Sequence, residues 1–511
     1  MKFYKIFFLF ILAGFFACTD LEEQLNEDLT TDEARDFLNA NADIDALLLG
    51  VYEGLKDPIF TNGQFQAMGC IASDVAIAPT RGGDWDDGGK WRQFHLHTFD
   101  GTNEELINAW NNMLQVVFNA TNVLSFDVAS PQQIAEAKFL RAFAMFLVAD
   151  GFNQVPVREP GDNLLLPSNV LQGPAAIDFV ISECESILSD LPDGPVFKAN
   201  KDAARVLLMK AYLNKGVYIY PGRSTSPKFE TADMDKVIQY ADDIINSGNY
   251  ALSDNYFDNF APNNDAVSTE NIFTGANGPN ENGGNLRYHW YSGLHYNQNP
   301  GGWNGFSTLS DFYDSFEETD ERRFTEYPGS SDNGVASGFL IGQQYSGPGG
   351  TGDALEDRNG NPLAFVKDVP VVVPPEILEV AGVRVQKYPI DYSNIDDPNN
   401  DGVYFRFADV WLMKAEAEMR NGNNATALDM VNTLRADRGA SMLSSLDEET
   451  LLAERARELY WENWRRQDLI RFGKYLDAWQ EKPAGDESRL LFPIPTAQLA
   501  VNPNLEQNPG Y

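Results

Sequence analysis

The feature that most constrains the fold of this chain is an internal helical repeat. Residues 204–211 read ARVLLMKA and residues 408–415 read ADVWLMKA, and the two are identical at six of eight positions. Each copy is followed by a glycine, Gly216 or Gly422, and then by a second amphipathic segment. Neither helix of such a pair can bury its apolar face alone, so the pairs must stack on one another. The repeat therefore predicts a mainly α-helical, tetratricopeptide-like scaffold of helical pairs.

Hydrophobic periodicity divides the rest of the chain into helices and long irregular segments. Helices are predicted over 33–55, 103–125, 131–150, 174–190, 200–216, 233–247, 406–421, 424–437 and 447–478. The intervening segments are rich in Gly, Asn, Asp, Pro and aromatic residues, with a few short strand-like runs. We expect a single domain over 33–511: a helical scaffold (about 33–56, 102–248 and 405–480), two loop insertions that form the ligand face (57–101 and 249–404), and an extended C-terminal strap along the surface (481–511).

The N-terminal segment has the pattern of an export signal. Two lysines, at positions 2 and 5, precede an apolar run from Ile6 to Ala17, which is too short to span a bilayer as a helix. Cleavage after residue 17 resembles the processing of bacterial lipoproteins and would leave Cys18 as the lipidated first residue. Residues 18–32 are polar and acidic, as expected of a tether. A plain secretory signal is the alternative.

The charge and the cysteines of the chain exclude several classes of protein. A formal net charge of −37, from 75 acidic and 38 basic residues, predicts a negative surface, which argues against a nucleic-acid partner. After Cys18 only Cys70 and Cys184 remain, so no disulfide framework is expected.

Catalytic motifs are missing from the sequence. It contains no H-E-x-x-H, G-x-S-x-G or Cys-x-x-Cys pattern, and residues 83–90 (GDWDDGGK) only imitate a phosphate loop. We therefore predict that the protein is not an enzyme and has no catalytic residues. A glycoside hydrolase stays open, because 75 acidic residues will bring some pair of carboxylates close together by chance.

One stretch resembles a calcium-binding loop. In DPNNDG, the residues Asp397, Asn399, Asp401 and Gly402 match positions 1, 3, 5 and 6, but position 12 is Ala408 rather than a carboxylate. A polar turn before the helix at 406 is the simpler interpretation, and a structural calcium stays open. No other cofactor is expected.

A run of charges near the C-terminus is interpreted as structural. Ion-pair networks that fix helix packing are expected from Glu454, Arg455, Arg457, Glu458, Glu462, Arg465, Arg466 and Asp468, which offer many three- and four-residue helical pairs.

Seven motifs follow one another along the chain: WNNMLQVVFNATNVL, EAKFLRAFAMFLVADGFNQVPV, STENIF, VRVQKYPID, YFRFADVWLMKAEAEMRNGN, ERARELYWENWRRQDLIRFG and LFPIPTAQLAVNPNLEQNPGY. In their order and spacing, these motifs together resemble the SusD/RagB family of outer-membrane, glycan-binding lipoproteins of Bacteroidota. The sequence departs from the family at Asn463, where Gly is usual. The resemblance implies a non-catalytic, lipid-anchored protein of the outer-membrane surface that delivers captured oligosaccharide or polysaccharide to a TonB-dependent transporter of the SusC type. A peptide-capturing RagB-like subunit is the alternative.

Aromatic residues of the two insertions are the candidates for holding a glycan, since family ligands lie along an aromatic platform built from such loops. A flat indole can cover the apolar face of a sugar while polar side chains reach the hydroxyl groups. For stacking we select Trp85, Trp290, Tyr291, Tyr296 and Trp303, and as hydroxyl partners Arg81, Asp84, His289 and Asn304. Trp91 begins the strand-like run WRQFHLHTF and is expected to turn inward. The acidic surface and the many tryptophans favour a neutral glucan as ligand.

Overall fold

The computed structural model describes residues 37, 39–278 and 285–511. The predicted signal, the predicted lipidation site Cys18, the predicted acidic tether and the start of the first predicted helix lie outside these residues. The chain separates into two compact units, Met1–Ala42 and Asp43–Tyr511. In the first, Asn41 Nδ2 donates to the Phe37 carbonyl at 2.7 Å. The second unit carries the features described below.

Helices dominate the second unit, which confirms the mainly α-helical prediction. The long helices are Ile44–Phe60, Glu104–Val123, Pro131–Phe152, Pro174–Ile187, Lys201–Asn214, Thr231–Ser247, Phe407–Arg420, Asn424–Asp437 and Glu448–Leu459. The short ones are Gln64–Gln66, Lys90–Leu96, Asn264–Val267, Tyr288–Tyr291, Ser310–Asp314, Arg465–Arg471 and Thr496–Val501. Capping residues in the sequence fix where several helices begin. Asn103 caps the helix Glu104–Val123, and Ser130 with Gln133 forms a capping box at the start of the helix Pro131–Phe152.

The strands are short and form small sheets. Asn271–Gly275 pairs with Gly402–Arg406, Gln154–Val157 with Asn169–Gln172, and Gly342–Gln343 with Ala364–Phe365. Ser337–Leu340 lies between Arg384–Gln386 and Phe324–Thr325. Thr80–Arg81 runs parallel to Val372–Val373, and this pair joins the two predicted insertions.

The two copies of the repeat stack as predicted. Each forms a helical pair, Lys201–Asn214 with Thr231–Ser247 and Phe407–Arg420 with Asn424–Asp437. Two buried or half-buried lysines at equivalent repeat positions join the copies: Lys210 Nζ lies 2.5 Å from Asp409 Oδ2, and Lys414 Nζ lies 2.5 Å from Asp242 Oδ1. An apolar cluster of Ala408, Leu412, Ala415, Met430, Val431, Leu434 and Leu451 fills the second pair.

The prediction of one continuous helix over 447–478 is wrong. The observed helix ends at Leu459 and a new helix starts at Arg465, because Trp461 (φ 59°) and Asn463 (φ 70°) adopt left-handed backbone conformations. Asn463 Nδ2 donates to the Ile59 carbonyl at 3.0 Å, and its Oδ1 accepts from Cys70 Sγ at 3.3 Å. Glycine adopts this conformation without strain, so the structure gives a physical reason for the glycine that the resemblance places at position 463.

Two segments predicted to be surface loops are largely internal. In the 57–101 insertion the π-helix Ala67–Ile71 is buried, and WRQFHLHTF belongs mostly to the helix Lys90–Leu96 rather than to a strand. Trp91 is buried, as predicted, but by a helix. In the strap, Phe492 and Ile494 are fully buried rather than on the surface. Long-range packing, which local composition does not encode, overrides the loop signals here.

Buried ion pairs tie the C-terminal helices to the second insertion, which confirms the predicted network. Glu458 lies within 3.3 Å of Arg322, Arg406 and Arg438, and Arg322 comes from the insertion. Burial alone would raise the pKa of Glu458, but these three guanidinium groups hold it well below its ordinary value. Most partners are far apart in sequence, so the network fixes tertiary packing rather than single helices.

Among the residues that the structure describes, no helix is both long enough and apolar enough to cross a membrane.

Candidate functional site

Trp303 is the centre of an exposed aromatic surface on the second insertion. It exposes 38% of its surface. The ring of Tyr291 stacks on it, with centroids 5.5 Å apart and planes at 18°, and Tyr288 lies against it at 5.0 Å. Tyr291 is held in place because its hydroxyl donates to Asp396 Oδ1 at 3.0 Å. Together with Trp85, these residues are called the aromatic platform.

Trp85 joins the first insertion to the platform. Its Nε1 donates to the Trp303 carbonyl at 3.0 Å, and the two ring centroids are 6.5 Å apart. The indole lies against Gly305, where an added Cβ would come within 2.2 Å of the ring. The backbone of Trp85 has a φ of 59°. This conformation is strained for a bulky residue and persists only where the surroundings impose it, most often at functional sites.

A polar edge, defined as Asp84, Tyr296 and Arg358, borders the platform. Tyr296 Oη donates to Asp84 Oδ2 at 3.0 Å, and the Arg358 guanidinium lies over the Tyr296 ring at 4.0 Å. Glu379 anchors Arg358 through two hydrogen bonds of 2.5 and 2.8 Å. The hydrogen bonds from Arg358, with one from His295, lower the pKa of Glu379 to about 2, so this anchor stays ionised. Burial and the nearby Asp84 raise the pKa of Tyr296, which keeps its hydroxyl a donor.

Two predicted contact residues, Trp290 and His289, are instead buried. Trp290 is fully buried, and His289 packs against Tyr388 with ring centroids 4.7 Å apart. Burial lowers the pKa of His289 to about 3, so the ring is neutral. The short helix Tyr288–Tyr291 explains this correction. Residues three apart share a helix face, so the two tyrosines turn outward together and the residues between them turn inward.

Arg81 and Asn304, predicted to bind ligand hydroxyls, are committed to the interior. The Arg81 guanidinium donates to the carbonyls of Leu378 and Ala381 and to Ser307 Oγ, at 2.9 to 3.1 Å. Asn304 Oδ1 accepts from Arg384 Nη2 at 2.6 Å. Arg81 therefore ties the first insertion to the second, and Asn304 braces the second insertion internally.

The structure brings together five predicted residues and adds three that were not selected from the sequence. Asp84, Trp85, Tyr291, Tyr296 and Trp303 lie on or beside the platform. The added residues are Tyr288, Arg358 and Asp396. Tyr288 could have been selected from its three-residue spacing to Tyr291. Arg358 and Asp396 come from polar turns far away in the chain, and nothing in their local sequence marks them.

The side chains of the calcium-like stretch do not converge. Asp401 accepts from the Asn277 backbone at 2.8 Å and from Thr274 Oγ1 at 2.9 Å, one bond to each carboxylate oxygen. Asn399 Nδ2 donates to Asp391 at 2.5 Å. Within the described ranges, no group of three or more His, Cys, Asp or Glu residues could hold a metal ion. Asp401 and Asn399 are thus engaged in bonds within the protein, and a structural calcium at this stretch stays a prediction.

Comparisons with known proteins agree on the family. The SusD family model matches residues 248–511. The starch-binding protein SusD of Bacteroides thetaiotaomicron is 27% identical over 434 residues, covering 75% of this chain and 74% of that protein. A SusD superfamily structure from Parabacteroides distasonis has a TM-score of 0.69 at 20% identity, covering 95% of this chain and 100% of that one. A laminarin-binding SusD-like protein has a TM-score of 0.66 at 22% identity, covering 92% and 99%. With its helical-pair scaffold and a family match across half of its length, the chain belongs to the SusD family.

Proposed function

We propose that this protein binds oligosaccharide or polysaccharide at the cell surface by stacking sugar rings on the aromatic platform. The observation that carries the proposal is the exposed Trp303 braced by Tyr291 and Tyr288. Such a surface offers a flat apolar face, and the polar edge beside it offers donors and acceptors to hydroxyl groups. Sugar rings have the complementary arrangement, with an apolar C–H face and hydroxyls at the rim.

The number of aromatic rings on the platform suits a ligand of several sugars. Covering about 80–100 Å² of apolar surface per stacked ring is worth on the order of 2 kcal/mol, before the ordering costs of binding. One ring alone would bind weakly. Two or three rings on the platform would reach dissociation constants of roughly tens of micromolar to millimolar.

A neutral glucan is the ligand class we favour. Two relatives are named for binding starch and laminarin, and both polysaccharides are glucans. The net charge of −37 disfavours strongly anionic chains. The only cation of the polar edge, Arg358, is already paired with Glu379, which leaves less attraction for an acidic sugar.

The protein acts, in this proposal, without chemistry of its own and hands its ligand to a SusC-like TonB-dependent transporter. Membership of the SusD family supports this role. Lipidation at Cys18 would hold the protein on the outer membrane within reach of that partner.

Binding is tested with protein lacking residues 1–18, run in native gels containing starch, laminarin, other neutral glucans, alginate or pectin. Retardation by at least one neutral glucan and none by alginate or pectin is expected. No retardation in any gel would overturn the glycan proposal. Chromatography of an oligosaccharide after long incubation should show unchanged length, and shortened products would refute the non-catalytic role.

A further inference from the structure

The polar edge places a cation beside a carboxylate at the border of the platform. Arg358 Nη2 lies 3.9 Å from Asp84 Oδ2, and the two side chains are 43% and 52% exposed. Asp84 directly precedes Trp85 in the chain. A sugar ring that stacks on Trp85 would therefore have its hydroxyl rim next to both charged groups.

The guanidinium of Arg358 is fixed in one orientation. Its Nε and Nη2 donate to the two oxygens of Glu379, and it lies over the ring of Tyr296 at 4.0 Å. Glu379 is held in turn by His295, whose Nε2 lies 2.8 Å from Glu379 Oε2. Because His295 Nδ1 accepts the backbone N–H of Asn297 at 3.1 Å, the ring proton is assigned to Nε2, which donates to Glu379. A guanidinium has five N–H donors and Glu379 accepts two of them, so Arg358 keeps donors for a ligand.

Asp84 is also held in place, by its side chain and by its backbone. Its Oδ2 accepts from Tyr296 Oη at 3.0 Å. Its backbone N–H and carbonyl pair with the backbone of Arg81, at 3.0 and 2.9 Å. A carboxylate only accepts hydrogen bonds and a guanidinium only donates them. Asp84 and Arg358 are therefore a preformed acceptor and a preformed donor, 3.9 Å apart.

Two hydroxyl groups on adjacent ring carbons of a sugar match this spacing. Their oxygens lie about one hydrogen-bond length apart, and each hydroxyl can donate or accept. One can therefore accept from Arg358 while its neighbour donates to Asp84, with the two bonds side by side. A single hydroxyl that bonded both groups across 3.9 Å would have to donate and accept at nearly a right angle, which is tighter than its tetrahedral geometry favours.

The linkage of a glucan decides whether its inner rings carry such a pair of hydroxyls. A 1,4-linked chain leaves the hydroxyls of the second and third carbons free on each inner ring, and these carbons are neighbours. A 1,3-linked chain leaves the hydroxyls of the second, fourth and sixth carbons free, and no two of these carbons are neighbours. Starch belongs to the first class, and the backbone of laminarin belongs to the second.

We infer that Arg358 and Asp84 together bind two adjacent hydroxyls of one sugar ring, so that the platform prefers 1,4-linked glucans to 1,3-linked glucans. Arg358 donates to one hydroxyl, and Asp84 accepts from the other. The inference rests on the proposed function, because it names the linkage class of the glycan bound at the same site.

The test titrates the full-length chain, purified in a detergent without sugar groups, with maltohexaose, cellohexaose and laminarihexaose by calorimetry. The first two are 1,4-linked and differ in anomeric configuration, and the third is 1,3-linked. We expect the better of the two 1,4-linked hexaoses to bind at least tenfold more tightly than laminarihexaose. Asp84→Ala and Arg358→Ala should each lower the affinity for that better hexaose by about tenfold or more, because each removes a charge-assisted hydrogen bond. Both variants should bind laminarihexaose within twofold of wild type, since its stacking needs neither group.

A matched control and the possible outcomes keep this test distinct from that of the proposed function. Lys474→Ala removes one member of an ion pair with Asp477 that lies outside both insertions, with side chains 49% and 59% exposed, and its affinities should equal those of wild type. Thermal unfolding checks that each variant is folded at the temperature of the titration. If laminarihexaose binds wild type as tightly as the better 1,4-linked hexaose, or if either polar-edge variant keeps the preference, the inference is overturned and the glycan proposal stands. If no hexaose binds and no polysaccharide retards the protein in gels, the proposed function fails and the inference fails with it.

Discussion

The ring of Tyr291 lies parallel to the indole of Trp303, at 5.5 Å and 18°, and its hydroxyl is fixed by Asp396. This stack braces the indole of Trp303, of which 38% of the surface stays exposed. Stacked aromatic pairs are worth about 0.5–1.5 kcal/mol beyond the area that they bury. In the proposed function, the pair therefore acts as one preformed surface for the glycan rather than as two separate aromatic contacts.

Removing the Tyr291 ring should weaken glucan binding more than removing its hydroxyl. For Tyr291→Ala we expect about a tenfold loss of affinity, equal to about 1.4 kcal/mol. Tyr291→Phe keeps the stack and loses only the bond to Asp396, so its affinity should fall less than threefold. Isothermal titration calorimetry with a glucan oligosaccharide measures both. Wild-type affinity in Tyr291→Ala would show that the stack does not contact the ligand.

Trp290 should matter for stability and not for binding. It is fully buried, and large-to-small substitution of a buried aromatic costs about 3–5 kcal/mol. Trp290→Ala should lower the free energy of unfolding by this amount, and Trp290→Phe by less, as measured by urea denaturation. Glucan affinity of Trp290→Phe should stay within twofold of wild type. If Trp290→Phe loses glucan binding while its unfolding midpoint is unchanged, Trp290 contributes to the binding site and this prediction is wrong.

The left-handed backbone at Asn463 gives a paired prediction on stability. Asn463→Ala and Asn463→Gly both lose the bonds to Ile59 and Cys70 and differ only in the Cβ. Because a Cβ at positive φ costs about 1–2 kcal/mol, the glycine variant should be the more stable of the two by about this amount in thermal or urea unfolding. Equal stability of the two variants would mean that the backbone relaxes at this position.

The sequence predicts the scaffold far better than the site. Repeats and periodicity encode the helical pairs, since each helix carries its own apolar face. The site depends on contacts between distant loops. Trp290 and Tyr291 are neighbours of equal promise in the sequence, yet a short helix turns one inward and the other outward. Arg358 lies beside the platform because the fold places it against Glu379 and Tyr296, which are distant from it in the sequence.

Acid should destabilise the protein through its buried carboxylates. Burial opposes ionisation of Glu454 and Asp468, but neighbouring arginines lower the pKa of each to about 2 from ordinary values of 4.5 and 3.8. A lowered folded-state pKa contributes stability that is present above the unfolded-state pKa and is lost as the pH falls toward the folded one. The free energy of unfolding should therefore decline as the pH falls from about 5 to 2, as measured by urea titrations at each pH. An unchanged or rising value over this range would contradict the buried network.

Calorimetric titration of a glucan oligosaccharide into Trp303→Ala tests the central claim most directly. The matched control is Phe324→Ala, because Phe324 is a 51% exposed aromatic residue on the strand Phe324–Thr325, outside the platform. Loss of one stacking face is worth about 2 kcal/mol, or roughly thirtyfold in affinity. We expect that loss in Trp303→Ala and unchanged affinity in Phe324→Ala, with both variants folded at the temperature of the titration. Wild-type affinity in a folded Trp303→Ala protein would contradict the assignment of the platform as the glycan site.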